Sequence, residues 1–345
     1  MENQKPLMEI KNLKVYYPIK TGVFKRTTGY VRAVDDLSLV VYKGETLGLV
    51  GESGCGKSTL CKTIVMLNKA MSGEILYHSN SDKETLSLNG QNKKETKKAR
   101  KCIQYVFQDP QSSLNPKKTV FGAMDDALKL RGIKSKKDRR KIVEDLLITV
   151  NMRAENLDNY PNEFSGGQRQ RIGIARALCM EPELIICDEA VSALDVSVQA
   201  QVLNLLEELK EKKDLTYLFI THDLSVVEYI SDRVAVMYLG HIVELAETEL
   251  LFKHMFHPYT RALRSAVPVA DVNVKKERIV LTGDVPSPAN PPSGCPFHPR
   301  CFECTERCRQ ELPKLRNYLV DGKPYSVACH QAHERLKNCE IKETE

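Results

Sequence analysis

The sequence reads as an α/β fold with a mainly parallel sheet, and three features carry that reading. Short apolar runs of strand type alternate with stretches whose apolar residues recur at helical spacing. One such run, Leu47–Val50, leads straight into a glycine-rich segment, Gly51–Thr59, with helical spacing from Lys57 onward. After about residue 250 the composition shifts toward Pro and Cys, which sets a small Cys-rich extension apart. A chain of 345 residues is too long for one small core. Its 42% hydrophobic and 28% charged residues match an ordinary globular composition.

Taken in order, residues 8–17 (MEIKNLKVYY) alternate loosely and predict a strand. The polar stretch Pro18–Tyr30, with two glycines and several basic residues, predicts a loop. Val31–Val41 predicts a second strand, so the N-terminal part reads as an antiparallel β subdomain. Residues 78–101, rich in Lys, Asn and Ser, read as a surface excursion. Ile103–Phe107 predicts a strand ending at Gln108. Helical spacing then covers Val120–Leu130, Lys136–Val150 and Gly166–Leu178, an inserted helical subdomain at about residues 113–178. Leu184–Cys187 is a buried-strand type of run ending in Asp188 and Glu189. Val198–Lys212 predicts an amphipathic helix, and Tyr217–Thr221 a strand followed by His222. Val234–Tyr238 and Ile242–Leu245 predict a hairpin around Gly240. The expected division is 1–250 and 251–345.

Bulk properties exclude several classes. No apolar run approaches the ~18 residues that cross a bilayer, and MENQKPLMEIKNL lacks the layout of a signal peptide. A cytosolic chain that meets a membrane through a partner is expected. The net charge of +6, from 51 basic and 45 acidic residues, is mild. The basic clusters Lys93–Lys101 and Lys134–Lys141 are not interleaved with aromatics, and Trp is absent, so no nucleic-acid partner is expected.

Gly51-Glu52-Ser53-Gly54-Cys55-Gly56-Lys57-Ser58-Thr59 fits the phosphate-loop pattern. Glycines let the backbone curl so that its N–H groups surround an anion, and the following helix adds its N-terminal partial charge. Lys57 would reach the β- and γ-phosphates of ATP, Ser58 would offer its hydroxyl to Mg²⁺, and Thr59 could bond an α-phosphate oxygen. Asp188 at a strand end would hold Mg²⁺, a hard cation, directly or through water. Glu189, pointing elsewhere, can polarise the attacking water.

These motifs, in this order, resemble the ATP-binding subunit of an ABC transporter over about residues 8–250. On that resemblance Gln108, in VFQDPQSSLNP, corresponds to the glutamine that touches Mg²⁺ and relays to the membrane subunits. Ser165-Gly166-Gly167-Gln168 matches the family signature, Ser192-Ala193-Leu194-Asp195 the D-loop, and His222 the histidine that contacts the γ-phosphate. Tyr17 sits where an aromatic stacks on adenine; Tyr16 is the alternative. Amides of a Ser-Gly-Gly turn at a helix start form a second anion nest. In the family that nest faces the γ-phosphate held by another subunit, so two ATP molecules are clasped between two motor domains. The chain departs from the usual pattern at Phe164, where Leu is common, and at Ala190, where Pro is frequent. Neither departure removes a chemical group.

The Pro18–Tyr30 stretch, VFQDPQSSLNP and His257-Pro258-Tyr259-Thr260-Arg261-Ala262-Leu263 resemble the F-type subunit of oligopeptide/dipeptide importers. The resemblance implies a D-type ATPase partner in a heterodimer, two transmembrane permease subunits and, indirectly, an extracytoplasmic peptide-binding protein. It places the chain peripherally on the cytoplasmic face of the cell membrane. Related importers serve nickel or glutathione. A soluble ABC protein acting on nucleic acid would usually carry two cassettes or a coiled-coil insertion; this chain has one phosphate loop, one signature and no long heptad run. An inactive ATP binder is disfavoured by intact Glu189 and His222.

Of eleven cysteines, Cys295, Cys301, Cys304, Cys308 and Cys329 crowd into 35 residues. In a cytosolic protein such crowding points to metal rather than disulfides. Cys295, Cys301, Cys308 and Cys329 are separated by five, six and twenty residues, a spacing that resembles the [4Fe–4S] site of peptide-importer ATPases, with Cys304 a spare. Zinc, with His298 and His330 as optional ligands, and free thiols remain the alternatives.

Overall fold

Two sheets organise the computed structural model of this chain, which describes residues 5–22, 25–79, 84–88, 92–109, 113–267 and 278–339. The smaller is antiparallel and contains β1 (Pro6–Thr21), β2 (Arg26–Tyr42), β4 (Ser72–His78) and β5 (Thr85–Ser87), in the order β2-β1-β4-β5. The larger contains β3 (Thr46–Val50), β6 (Ile103–Val106), β7 (Leu184–Asp188), β8 (Thr216–Thr221), β9 (Arg233–Tyr238), β10 (His241–Glu247), β11 (Arg316–Val320) and β12 (Lys323–Val327). Its order is β11-β12-β10-β9-β3-β8-β7-β6. From β9 to β6 every neighbour pair is parallel, while β10, β12 and β11 add on antiparallel.

The central strands β3, β7 and β8 are buried at every residue because both faces are covered. Along β7 and β8 alternate residues enter different cores. Ile185, Cys187, Tyr217 and Phe219 face the core shared with the helical subdomain. Leu184, Ile186, Leu218 and Ile220 face the core shared with the antiparallel sheet. The period-2 pleat thus makes one sheet the middle layer of three. The helical subdomain has the expected helices, Val120–Arg131, Lys136–Thr149 and Gly166–Leu178. The first two begin at side-chain caps, where Thr119 accepts from Gly122 N–H and Ser135 from Asp138 N–H. Phe164 is 6% exposed in this core, so the departure from Leu keeps an apolar packing role.

Several expectations are corrected. The predicted loop Pro18–Tyr30 is mostly hairpin: Pro18 pairs with Tyr30, Ile19 with Gly29 and Thr21 with Arg26. This end of β1 pairs with β2 only, leaving polar residues on a ribbon with little core to impose alternation. The excursion at 78–101 contains β5 and a helix, Lys93–Cys102, that buries Ala99 alone, so no apolar period announces it. The helix beginning at Lys57 ends at Ile64, and Met66 turns left-handed. Short elements such as β4 and the helices Leu224–Ile230 and Thr248–His254 had no distinct signal. Residues 110–112 of VFQDPQSSLNP and residues 1–4, 268–277 and 340–345 of the two expected domains lie outside the described residues.

The boundary near residue 250 does not mark a break in the core. β12 pairs with β10, Glu244 opposite Val327 and Ala246 opposite Tyr325, so the extension prolongs the large sheet. Val234, Val236 and Tyr238 share a core with Tyr259, Phe297, Tyr318 and Tyr325. Glu244 is the polar centre of that junction. Fully buried, its carboxylate accepts Phe256 N–H (2.7 Å), His257 N–H (3.1 Å) and the Tyr325 hydroxyl (2.6 Å). Burial pushes its pKa up against the pull of those donors. Replacing Glu244 by Ala orphans two backbone donors and is expected to destabilise the chain by on the order of 3 kcal/mol. Thermal unfolding measures this, and an unchanged midpoint would contradict the anchoring role.

Candidate functional site

Four parallel strands deliver their C-terminal ends to one edge, where ligands of open α/β sheets bind. β3 runs into Gly51, β7 ends at Asp188, β8 precedes His222 and β6 leads to Gln108. Close approach dictates the first glycine of the loop. A Cβ on Gly51 would stand 2.2 Å from Met237 O. Gly56 caps the helix at φ 110°, and a Cβ there would meet Ala33 O at 2.1 Å. Lys57 is buried, and its Nζ donates to Gly51 O (2.6 Å) and Glu52 O (3.0 Å). The ammonium is therefore held at the mouth of its own loop. Ser53 and Gly54 are exposed there, and Thr59 is half-buried on the first helical turn. Cys55 is buried with its thiol 3.7 Å from Lys57 Nζ, and burial pushes that thiol's pKa up.

The two acids part company at the backbone. Asp188, still in β7 and 5% exposed, accepts from Ser58 Oγ (3.0 Å) and from the Tyr105 hydroxyl (2.5 Å). Burial, before any neighbouring charge, keeps the Tyr105 phenol protonated and so a donor. Glu189 is left-handed at φ 47°, a strained conformation for a residue with a side chain. Its amide donates to Ile220 O (2.9 Å) and its carbonyl accepts from Ser192 Oγ (3.0 Å). The twist sends its carboxylate away from Asp188. Gln108 Nε2 donates to Glu189 Oε2 (2.7 Å), and His222 Nδ1 lies 3.4 Å from Oε1. Gln108, expected beside Ser58 and Asp188, instead meets Glu189 and with it His222, while Ser58 and Asp188 form a separate oxygen pair. Such a pair suits Mg²⁺.

The signature segment begins the helix Gly166–Leu178. Ser165 N–H donates to Gln168 Oε1 (2.9 Å) and Gln168 N–H to Ser165 Oγ (3.4 Å), a reciprocal cap. Gly166 is exposed, while Gly167 is buried where a Cβ would meet Val198 Cγ1 at 2.2 Å. Asp195 caps the next helix, Val196–Lys213, accepting from Val198 N–H (3.0 Å) and Ser197 Oγ (2.7 Å). The Ser197 hydroxyl, with that amide, lowers the Asp195 pKa. Near the N-terminus Tyr16 gives its hydroxyl to Asp35 (2.5 Å), and burial with Asp35 pushes its pKa up to about 12. Tyr17 is 39% exposed.

Cys295, Cys308 and Cys329 are buried and Cys301 is partly so, all in the core shared with β9 and β10. Burial, then neighbouring cysteines, pushes the thiols of Cys295 and Cys301 up to about 12. Among the described residues no three His, Cys, Asp or Glu side chains are grouped to hold a metal ion. His298 Nδ1 lies 3.0 Å from Cys295 O and His330 Nε2 3.0 Å from Glu311 O, so each ring has a backbone partner.

Sequence reasoning missed Tyr105, Glu52, Tyr259 and Arg300. Glu52 N–H donates to the Tyr259 hydroxyl (2.8 Å), and the Arg300 guanidinium grips the Glu52 carboxylate at 2.6 and 3.0 Å. Tyr105 lay hidden in an apolar run, and the other three sit more than 200 positions apart in pairs that no periodicity can signal.

Comparison with known proteins identifies the family. A family model described as "ABC transporter" matches residues 34–192, and one described as "Oligopeptide/dipeptide transporter, C-terminal region" matches residues 243–308. The chain is 51% identical over 330 residues to the oligopeptide transport ATP-binding protein AppF of Bacillus subtilis, covering 95% of this chain and 98% of that one. It is 48% identical to the dipeptide transport ATP-binding protein DppF of Haemophilus influenzae, covering 94% and 96%. Among solved structures it is similar to a dimeric post-hydrolysis state of the ATP-binding cassette MJ0796 bound to ADP and Pi, with TM-score 0.60 and 29% identity, covering 70% of this chain and 98% of that one. At such identity over nearly the full length, the protein belongs to the oligopeptide/dipeptide branch of the ABC transporter ATP-binding subunits, a family of ATP hydrolases.

Proposed function

We propose that this chain binds ATP with Mg²⁺ and hydrolyses it to power uptake of oligopeptides or dipeptides through a membrane transporter. The observation that carries the reading is the convergence of Lys57, Asp188, Glu189, Gln108 and His222 at one sheet edge. Amides of Gly51–Thr59, with Ser53, Gly54, Cys55 and Gly56 in the curl, cradle the phosphates, and Lys57 leaves its loop carbonyls for the β- and γ-phosphates. Ser58, Asp188 and Gln108 would hold Mg²⁺, which supplies positive charge beside the phosphates. Glu189, steadied by Gln108, orients and deprotonates the attacking water, and His222 contacts the γ-phosphate. Tyr17 stacks on adenine; Tyr16 is committed to Asp35.

The exposed residues Ser165, Gly166 and Gln168 at the start of the signature helix support a partner reading. Its amides and Asp195 face the nucleotide of a second ATPase, here a D-type subunit in a heterodimer with this F-type one. Two permease subunits receive the motion, an extracytoplasmic binding protein delivers the peptide, and the pair sits on the cytoplasmic face of the membrane. No helix among the described residues is long and apolar enough to cross a membrane. Peptides are favoured over nickel or glutathione by the C-terminal match.

The thiols of Cys295, Cys301, Cys308 and Cys329 would hold a [4Fe–4S] cluster, with zinc the alternative metal. Their common core supports this in kind and place; loading would release thiol protons. Protein purified without oxygen is expected to contain iron, and zinc or no metal would overturn the assignment.

In the assembled transporter, Glu189→Gln is expected to retain bound ATP and lower hydrolysis by about 10²–10⁴-fold, with peptide uptake lost. Turnover at the original rate would place the base elsewhere. Lys57→Ala is expected to abolish ATP binding, and unchanged affinity would refute the loop assignment.

A further inference from the structure

The geometry points to the C-terminal extension as part of the nucleotide site: Arg300 and Tyr259 are positioning residues that set the phosphate loop through Glu52. This inference rests on the proposed reading of Gly51–Thr59 as the ATP loop. Glu52 is held on three sides. Its N–H is tied to the Tyr259 hydroxyl (2.8 Å), its carbonyl accepts from Lys57 Nζ (3.0 Å), and its carboxylate receives both Arg300 nitrogens (2.6 and 3.0 Å). The first and third ties come from more than 200 residues downstream.

Neither partner is a loose surface arm. Tyr259 is fully buried, with ring centroids 4.7 Å from Tyr238 and 5.4 Å from Phe297. The Arg300 side chain is 8% exposed and that of Glu52 27%. A bidentate guanidinium–carboxylate pair of this kind fixes direction as well as charge. The extension thus reaches over the end of β9 and grasps the residue directly after Gly51.

Charge gives the arrangement a specific consequence. Glu52 places a carboxylate on the loop that receives a polyanion, and like charges repel most strongly where water is partly excluded. Arg300 neutralises that carboxylate. With Arg300 removed, the loop loses its brace and an uncompensated negative charge faces the phosphates. ATP, carrying more charge than ADP, then loses more affinity.

Titration of the purified full-length chain with ATP and with ADP, each with Mg²⁺, tests this. Arg300→Ala is expected to weaken ATP about tenfold, and ADP less. Tyr259→Phe, which removes only the hydroxyl that accepts from Glu52 N–H, should weaken both nucleotides alike by about threefold. The double variant Glu52→Gln with Arg300→Ala should recover ATP affinity to within about threefold of the unaltered chain. Circular dichroism and thermal unfolding identify variants that fail to fold, and the double variant keeps the test decisive, since it lacks the same Arg300 contacts. Wild-type affinity in Arg300→Ala would overturn the inference. So would equal losses for ATP and ADP without recovery in the double variant, the outcome of a merely structural role. Binding that survives Lys57→Ala would instead sink the reading of the loop itself.

Discussion

Two carbonyl oxygens, Met237 O and Ala33 O, occupy the space where Gly51 and Gly56 would carry side chains. Everything at this sheet edge depends on that close approach. Met237 belongs to β9 of the large sheet and Ala33 to β2 of the antiparallel sheet, so the loop is wedged between the two layers. Gly240 N–H donates to Cys55 O and Asp35 N–H to Gly240 O, which fastens the turn after β9 to both. A loop with side chains at those two positions could not sit there, and the helix starting at Lys57 could not aim its first turn at the sheet edge.

A second constraint separates the two carboxylates. Adjacent residues on a strand already face opposite ways, but Glu189 goes further by adopting a left-handed backbone. Its amide hydrogen bond to Ile220 O and the Ser192 contacts to its carbonyl hold that conformation. Strain of this kind, of order 1–3 kcal/mol, persists only where surroundings over-determine it. Here it lets Asp188 stay with Ser58 and Tyr105 while Glu189 joins Gln108 and His222, so the two neighbouring acids serve separate clusters.

The extension is woven into the same frame. β12 pairs with β10, and Glu244 draws the start of the helix Pro258–Ala266 onto that strand. The helix carries Tyr259 to the loop, and the cysteine-bearing segment carries Arg300 there. A region whose composition looked like an appendage therefore shares its core with the sheet that bears the candidate site.

Legibility followed the range of the interactions involved. Gly51–Thr59, Asp188–Glu189, Ser165–Gln168 and the three long helices declare themselves by spacing, because glycine turns, caps and apolar periods act over a few residues. The hairpin through Pro18–Tyr30 and the helix Lys93–Cys102 were silent, since their backbones pair without burying a regular apolar face. The sequence by itself determined the parts of the site and the strands that bear them. Tertiary structure alone decided that Arg300 and Tyr259 hold Glu52, that Tyr105 meets Asp188, and that Cys295, Cys301, Cys308 and Cys329 share one core with β9 and β10. Those outcomes turn on strand order and on packing between distant segments, neither of which any local stretch of chain encodes.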